Sequence, residues 1–230
     1  MNWKVCVVVT QETAKHTKQC VKSLLSAGFD GVQLFAPRGV ALSDSDKVIR
    51  HRCATNATET DLFVAAMTCD EKSLYRDVDF LLFISANMEV WGSIKLLMEN
   101  TIEKNFVGAY FPYAPAPFFL GTESHIPCQG FGWCEVQVSE PIAGAGVVAV
   151  NKHTASLLST QSKRLAEYRV EQSHIWNVGL SAVLRDYEIP AFVHSKSLAW
   201  RIGNSVEMEG SVSQSSRLNP RFTERNWYLN

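Results

Sequence analysis

The sequence predicts an α/β domain with a mostly parallel central sheet and a small region of mixed strands. Three observations predict it. The chain opens strand-helix-strand, with KVCVVVT, an amphipathic stretch and then GVQLFA, an order that favours parallel pairing through a right-handed crossover. KVCVVVT is a continuous β-rich run, the pattern of a strand covered on both faces, and VDFLLFIS follows as another central strand. Between Phe111 and Gly146 the pattern breaks into prolines, glycines and aromatics, which suits short hairpin strands in a long loop.

Each element has its own local reason. After the first strand, TAKHTKQCVKSLLSAGF places Cys20, Val21, Leu24 and Leu25 on one helical side and Lys15, Lys18 and Lys22 on another. Gly28 then supplies the stop. TETDLFVAAMTC reads as a helix with Thr58 or Thr60 near its start. GSIKLLMEN forms a short helix after VDFLLFIS, and NFVGAYF a strand. GVVAVNKHTASLLS returns to strand and helix. SHIWNVGLSAVLRDYEI is an amphipathic helix, and AFVHS a last strand. Residues 1–206 make one domain on this reading. Residues 207–230 make a polar tail ending in the aromatic pair Trp227 and Tyr228.

Composition narrows the class of protein. At 230 residues and 46% apolar content the chain can bury a substantial core. Lys and Arg total 22 against 23 Asp and Glu, so any grip on nucleic acid has to come from a local patch rather than the whole surface. No apolar run is long enough to span a bilayer, and MNWKVCVVVT lacks the order of a signal peptide. The six dispersed cysteines lack zinc-site spacing and read as reduced core thiols, so the expectation is a cytoplasmic protein. No glycine-rich phosphate turn follows the first strand, and Gly144-Ala145-Gly146 is not followed by Lys-Ser/Thr. Dinucleotide-binding and P-loop readings are thereby disfavoured.

Four segments in order resemble one family, the nucleotide-sugar glycosyltransferases of GT-A (Rossmann-like) fold, especially their compact forms in phage and related genomes. SLLSAGFDGVQLFA is similar to the helix-to-strand passage after that family's first strand. DFLLFISANME stands where the strand runs into its acidic Asp-x-Asp loop. GFGWCEVQ and IAGAGVVAVNKHTASLL resemble its acceptor-side loop and Gly-Ala strand-helix element. VHSKSLAWRIG resembles its closing Pro-Ser-Leu-x-x-His-Ile-Gly segment. The resemblance implies transfer of a sugar, hexosyl or pentosyl, from a nucleotide-sugar to an acceptor hydroxyl. Hydroxymethylated pyrimidines in DNA are one acceptor class it implies, glycans the other.

The departures from the family pattern carry chemical information. Ser85, Ala86 and Asn87 stand at the acidic loop, Lys196 at the proline and Arg201 at the late histidine. Hard cations want carboxylate oxygens, so Mg²⁺ or Mn²⁺ held by Ser85 and Asn87 would bind feebly. A fixed guanidinium can neutralise a leaving diphosphate instead. The expectation is that Arg201, helped by Lys196, replaces the metal and that no cofactor is required. Metal-dependent catalysis through Glu89, and a non-catalytic module that binds sugar or nucleotide, are the competing readings.

The remaining candidates follow from position within the resemblance. Glu171 and His174 lie where inverting members carry a base that deprotonates the acceptor. Thr10 and Gln11 follow the first strand, at the nucleotide-base end, while Arg52 belongs to a small basic group near that face. Ser85 and Asn87 are donor contacts by position. Glu89 and Trp133 are acceptor-side candidates, the indole because an aromatic face stacks on a sugar or a nucleobase. Each also has a plain structural reading: helix solvation for Glu171 and His174, turn chemistry for Thr10 and Asn87, a solvated helix entry for Glu89 and a loop anchor for Trp133.

Overall fold

Strand β1 (Trp3–Val8) has parallel neighbours on both sides, and its residues from Lys4 onward are buried. The structure, a computed structural model, describes residues 1–42, 47–69, 77–112, 132–136, 146–167, 176–194 and 197–202. Strands β2 (Val32–Pro37) and β4 (Phe80–Ser85) flank β1, and β3 (Val48–Cys53) pairs in parallel with β2 at the sheet edge. Beyond β4 lie β8 (Val147–Asn151), β6 (Ala109–Phe111), β9 (Ala191–His194) and β7 (Trp133–Val136), giving the order β3-β2-β1-β4-β8-β6-β9-β7. β8 and β7 run against the others. A separate two-stranded sheet joins β5 (Met88–Val90) to β10 (Ala199–Arg201) in antiparallel register.

Side chains alternate across the large sheet with the period-2 geometry of a strand. Val5, Val7, Leu82, Ile84 and Ala149 face helices α1 (Thr17–Ser26) and α3 (Ile94–Thr101). Cys6, Val8, Leu81, Phe83 and Val148 face α2 (Glu59–Thr68), α4 (Lys152–Thr160), α5 (Ser162–Glu167) and α6 (Trp176–Asp186). The result is a three-layer α/β/α arrangement, as the continuous β runs predict. Each fully buried Leu or Phe contributes roughly 1.5–3 kcal/mol, so these two apolar layers supply the main driving force for folding.

The helix boundaries follow their capping residues. Gly28 ends α1 with φ +89°, a left-handed conformation that a side chain would strain. Thr58 caps α2: its hydroxyl accepts from the Asp61 amide while the Asp61 carboxylate accepts from the Thr58 amide at 2.8 Å. Asn151 caps α4 and also donates from Nδ2 to the carbonyls of Lys104 and Phe106, tying that helix to the chain before β6.

Three features depart from the sequence reading. Val48–Cys53, read as a basic group around Arg50, His51 and Arg52, is an edge strand. It lacks apolar alternation because its outer side meets solvent, while the His51 ring stacks on Phe35 at 4.4 Å. Residues 88–90 and 199–201 pair with each other, a contact between segments 111 positions apart that no local pattern announces. Cys134 is disulfide-bonded, which corrects the expectation of six reduced thiols; Cys6, Cys20, Cys53 and Cys69 are free. Among the described residues no helix is long and apolar enough to cross a membrane. The predicted tail, residues 207–230, lies outside the described residues.

Candidate functional site at the carboxyl end of the central strands

The turn after β4 is fixed by main-chain hydrogen bonds from three directions. The Ser85 amide donates to Gly146 O at 2.8 Å, the Ala86 amide to Val8 O at 2.9 Å, and the Ile202 amide to Asn87 O at 2.7 Å. This brings the ends of β1, β4 and β10 and the start of β8 to one place, at the carboxyl ends of the parallel strands. Ligands of open α/β sheets bind in that region.

Helix α2 delivers a carboxylate to the same place. Thr58 and Asp61 complete the capping box, so Glu59 at the first helical position is left over and reaches β4. Ser85 Oγ donates to Glu59 Oε1 at 2.7 Å, and the buried Trp176 indole donates to Ser85 Oγ at 3.3 Å. Trp176 is itself fixed by stacking on Phe63 of α2, with ring centroids 4.5 Å apart. The carboxylate therefore rests on a rigid support made by β4, α2 and α6.

Opposing influences act on the Glu59 proton. Burial raises the Glu59 carboxyl above the ordinary carboxylate range, and the charge of Glu12 pushes the same way. The Ser85 hydroxyl, the Arg201 charge and the Trp176 indole pull it down, and the net shift is upward. Glu59 is only partly exposed, while Glu12 and Arg201 reach solvent. Charges borne on residues far apart in the chain thus act on Glu59 near the end of β4.

Arg201 stands opposite Met88 in the β5–β10 pair, so its side chain leaves the strand on the face away from Trp200 and Glu89. Ser85 and Glu59 are hydrogen-bonded, the Arg201 charge acts on Glu59, and the other described candidates are engaged in contacts of their own. Glu89 Oε2 accepts from Gln19 Nε2 of α1 at 2.9 Å and from Trp200 Nε1 at 3.1 Å. Asn87 holds Ile202 through its carbonyl. Thr10 is occupied by its own turn: its amide donates to Thr13 Oγ1 at 2.9 Å, and its hydroxyl accepts from the Thr13 amide at 3.2 Å. Gln11 is exposed in that turn. Arg52 donates to Val40 O at 2.6 Å and Pro37 O at 3.4 Å, bracing the loop after β2. The Trp133 ring meets Tyr110 and His194 edge-on and donates to Thr101 Oγ1 at 2.8 Å, the contacts of a packing anchor. Glu171, His174 and Lys196 lie outside the described residues.

The β4 turn itself carries no carboxylate. Its Ser85 hydroxyl is committed to Glu59, Ala86 offers a methyl group, and the Asn87 carbonyl is committed to Ile202. Among the described residues no group of three or more His, Cys, Asp or Glu could hold a metal ion.

Glu59 is the group that sequence reasoning missed. No local signal singles it out, because an acidic residue in the first turn of a helix is ordinary.

No family model matches the chain, and no curated protein matches it. Solved structures do resemble it. A UTP-bound UGPase from Acinetobacter baumannii aligns with a TM-score of 0.50 at 8% identity, covering 87% of this chain and 88% of that one. A glycosyltransferase involved in the glycosylation of the major capsid of PBCV-1 aligns with a TM-score of 0.45 at 11% identity, covering 83% and 81%. At such identities the likeness concerns the fold alone, which is GT-A-like: a mixed α/β domain on a large, mostly parallel sheet.

Proposed function

We propose that the chain transfers a sugar, hexosyl or pentosyl, from a nucleotide-sugar to an acceptor hydroxyl, and that Arg201 rather than a bound cation neutralises the departing diphosphate. The observation that carries this reading is the fastening of β10, which bears Arg201, to the β4 turn by the Ile202–Asn87 hydrogen bond, with the Arg201 charge acting on Glu59. The order of the four sequence segments supports it. So does the fold, since the UGPase of similar architecture holds UTP.

In the reaction the acceptor oxygen bonds to the anomeric carbon while the bond from that carbon to the diphosphate breaks. The leaving electron pair adds negative charge to the diphosphate oxygens. A guanidinium placed there stabilises the transition state more than the ground state, and removal of one such donor costs about 100- to 1000-fold in rate. The acceptor is a hydroxyl of a glycan or of a hydroxymethylated pyrimidine in DNA. A DNA acceptor would need its base brought out of the stack.

Incubation with UDP-, GDP- and TDP-sugars, with and without Mn²⁺, tests the proposal by release of nucleoside diphosphate. Turnover that survives EDTA and disappears in Arg201→Ala supports it. Turnover that requires Mn²⁺ overturns the metal-free mechanism. The absence of carboxylates from residues 85–87 also favours a second reading, a sugar- or nucleotide-binding module. Ligand-induced thermal stabilisation without turnover would support that one.

A further inference from the structure

Glu59 accepts from Ser85 at 2.7 Å, and its place in the first turn of α2 suits the helix dipole. The helix cap is complete without it, and burial still raises its carboxyl above the ordinary range despite these partners, the mark of a carboxylate whose burial is only partly offset. It is nevertheless held firmly, through Ser85 and the Trp176 stack, beside the charge of Arg201. Glu89, by contrast, accepts from both Gln19 and Trp200 through Oε2 on the opposite face of β5.

We infer that Glu59 is the base that takes the proton from the attacking hydroxyl, so that the reacting carbon lies between the first turn of α2 and the guanidinium of β10. The inference rests on the transferase reading above and names the group that the β4 turn itself lacks. As the acceptor oxygen bonds to the anomeric carbon, its proton passes to the Glu59 carboxylate. The bond to the diphosphate oxygen breaks on the other side, and the electron pair leaves toward Arg201. One proton moves and one bond replaces another, with no redox partner required.

The surroundings suit that task. A base works best when its proton affinity lies near the operating pH. Burial and Glu12 raise that of Glu59, while Ser85, Arg201 and Trp176 keep the ionised form accessible. Ser85 and Trp176 also restrict the carboxylate to one orientation, which an exposed helix-start glutamate would not have.

The test is hydrolysis of the nucleotide-sugars named above, with water as the acceptor, followed from about pH 4.5 to 9. Glu59→Gln keeps an oxygen to accept from Ser85 and loses the base. It should lower kcat by about 100-fold or more with KM within threefold, and the acid limb of the pH profile should vanish. Ser85→Ala keeps the carboxylate and removes a donor that favours its ionised form, so the acid limb should move to higher pH. If Glu59→Gln fails to fold, Glu59→Asp should retain the acid limb at reduced kcat. Glu59→Gln turnover within threefold of wild type, with its acid limb intact, overturns the inference and leaves the transferase reading standing. Wild-type protein that binds nucleotide-sugar without hydrolysing it overturns the role of Glu59 and spares donor binding. Wild type that neither binds nor hydrolyses overturns both.

Discussion

The Trp200 indole donates to Glu89 Oε2 at 3.1 Å across the β5–β10 pair, and Gln19 of α1 donates to the same oxygen at 2.9 Å. One carboxylate therefore fastens the late strand to both β5 and α1. Glu89→Ala leaves two donors without their acceptor and should lower stability by about 1–2 kcal/mol, read from urea unfolding. Because β10 also carries Arg201, turnover should fall by less than in Arg201→Ala. The response to EDTA should not change. A variant that gained sensitivity to chelator would mark Glu89 as a metal ligand instead.

Arg201 itself should behave as a charge whose geometry matters. Arg201→Ala should lower kcat by about 100-fold or more with little change in melting temperature, since the side chain is exposed. Arg201→Lys keeps the charge and loses the planar fork, so it should recover part of the rate only. Equal rates in Lys and Ala variants would show that charge at this position is unimportant.

The α2 cap should matter to both stability and turnover. Thr58→Ala removes the hydroxyl that accepts from Asp61 N at 3.2 Å, and such losses cost about 1 kcal/mol. In a chain of this size that corresponds to a fall of roughly 2–4 °C in melting temperature. The first turn also aims Glu59, so kcat should drop beyond what the lost stability explains at 25 °C. Unchanged kcat in a folded variant would separate the cap from the site.

Helix packing behind the site gives a sharper stability test. A Cβ on Gly179 of α6 would lie 2.7 Å from the Leu165 carbonyl oxygen, where α5 crosses. Backbone cannot yield as a side chain can, so Gly179→Ala should destabilise by about 1–3 kcal/mol despite the better helix propensity of alanine. Neutral or improved stability in urea would show that the two helices are not packed this closely.

The legible part of this fold is the part whose physics is local. Val5 to Val9 and Phe80 to Ile84 are apolar on both faces, so their placement as central strands follows from the sequence. Gly28 and the Thr58 cap announce helix boundaries for equally local reasons. The edge strand β3 does not announce itself, because exposure removes the apolar alternation that marks a strand. Arg201 is legible in the sequence through its place in a motif. Glu59 is not, because its significance depends on β4, α2 and α6 meeting, and no pattern along 58–61 encodes Ser85 or Trp176. The same dependence explains why Trp133 suited a stacking role in sequence and is packed between Tyr110 and His194 in the fold.

If Glu59 is maintained for its chemistry, its removal should leave the protein more stable at neutral pH. Burial raises the proton affinity of the folded Glu59 carboxyl above its ordinary value of 4.5. The native state therefore holds this proton more tightly than the unfolded chain does. The sign follows from linkage: the stability this group contributes is fully present below about pH 4.5 and is lost as pH rises through the higher, folded value. Glutamine cannot ionise, yet its oxygen still accepts from Ser85 at the position of Oε1. The stability of Glu59→Gln relative to wild type should then rise steadily from about pH 4.5 upward, until the folded carboxyl is ionised, and level off. Paired urea titrations of the two proteins across that range measure the difference directly. A flat difference, or one that favours wild type increasingly toward neutral pH, would mean that the carboxylate is stabilising where it stands. The tension between stability and use that singles out Glu59 would then be absent.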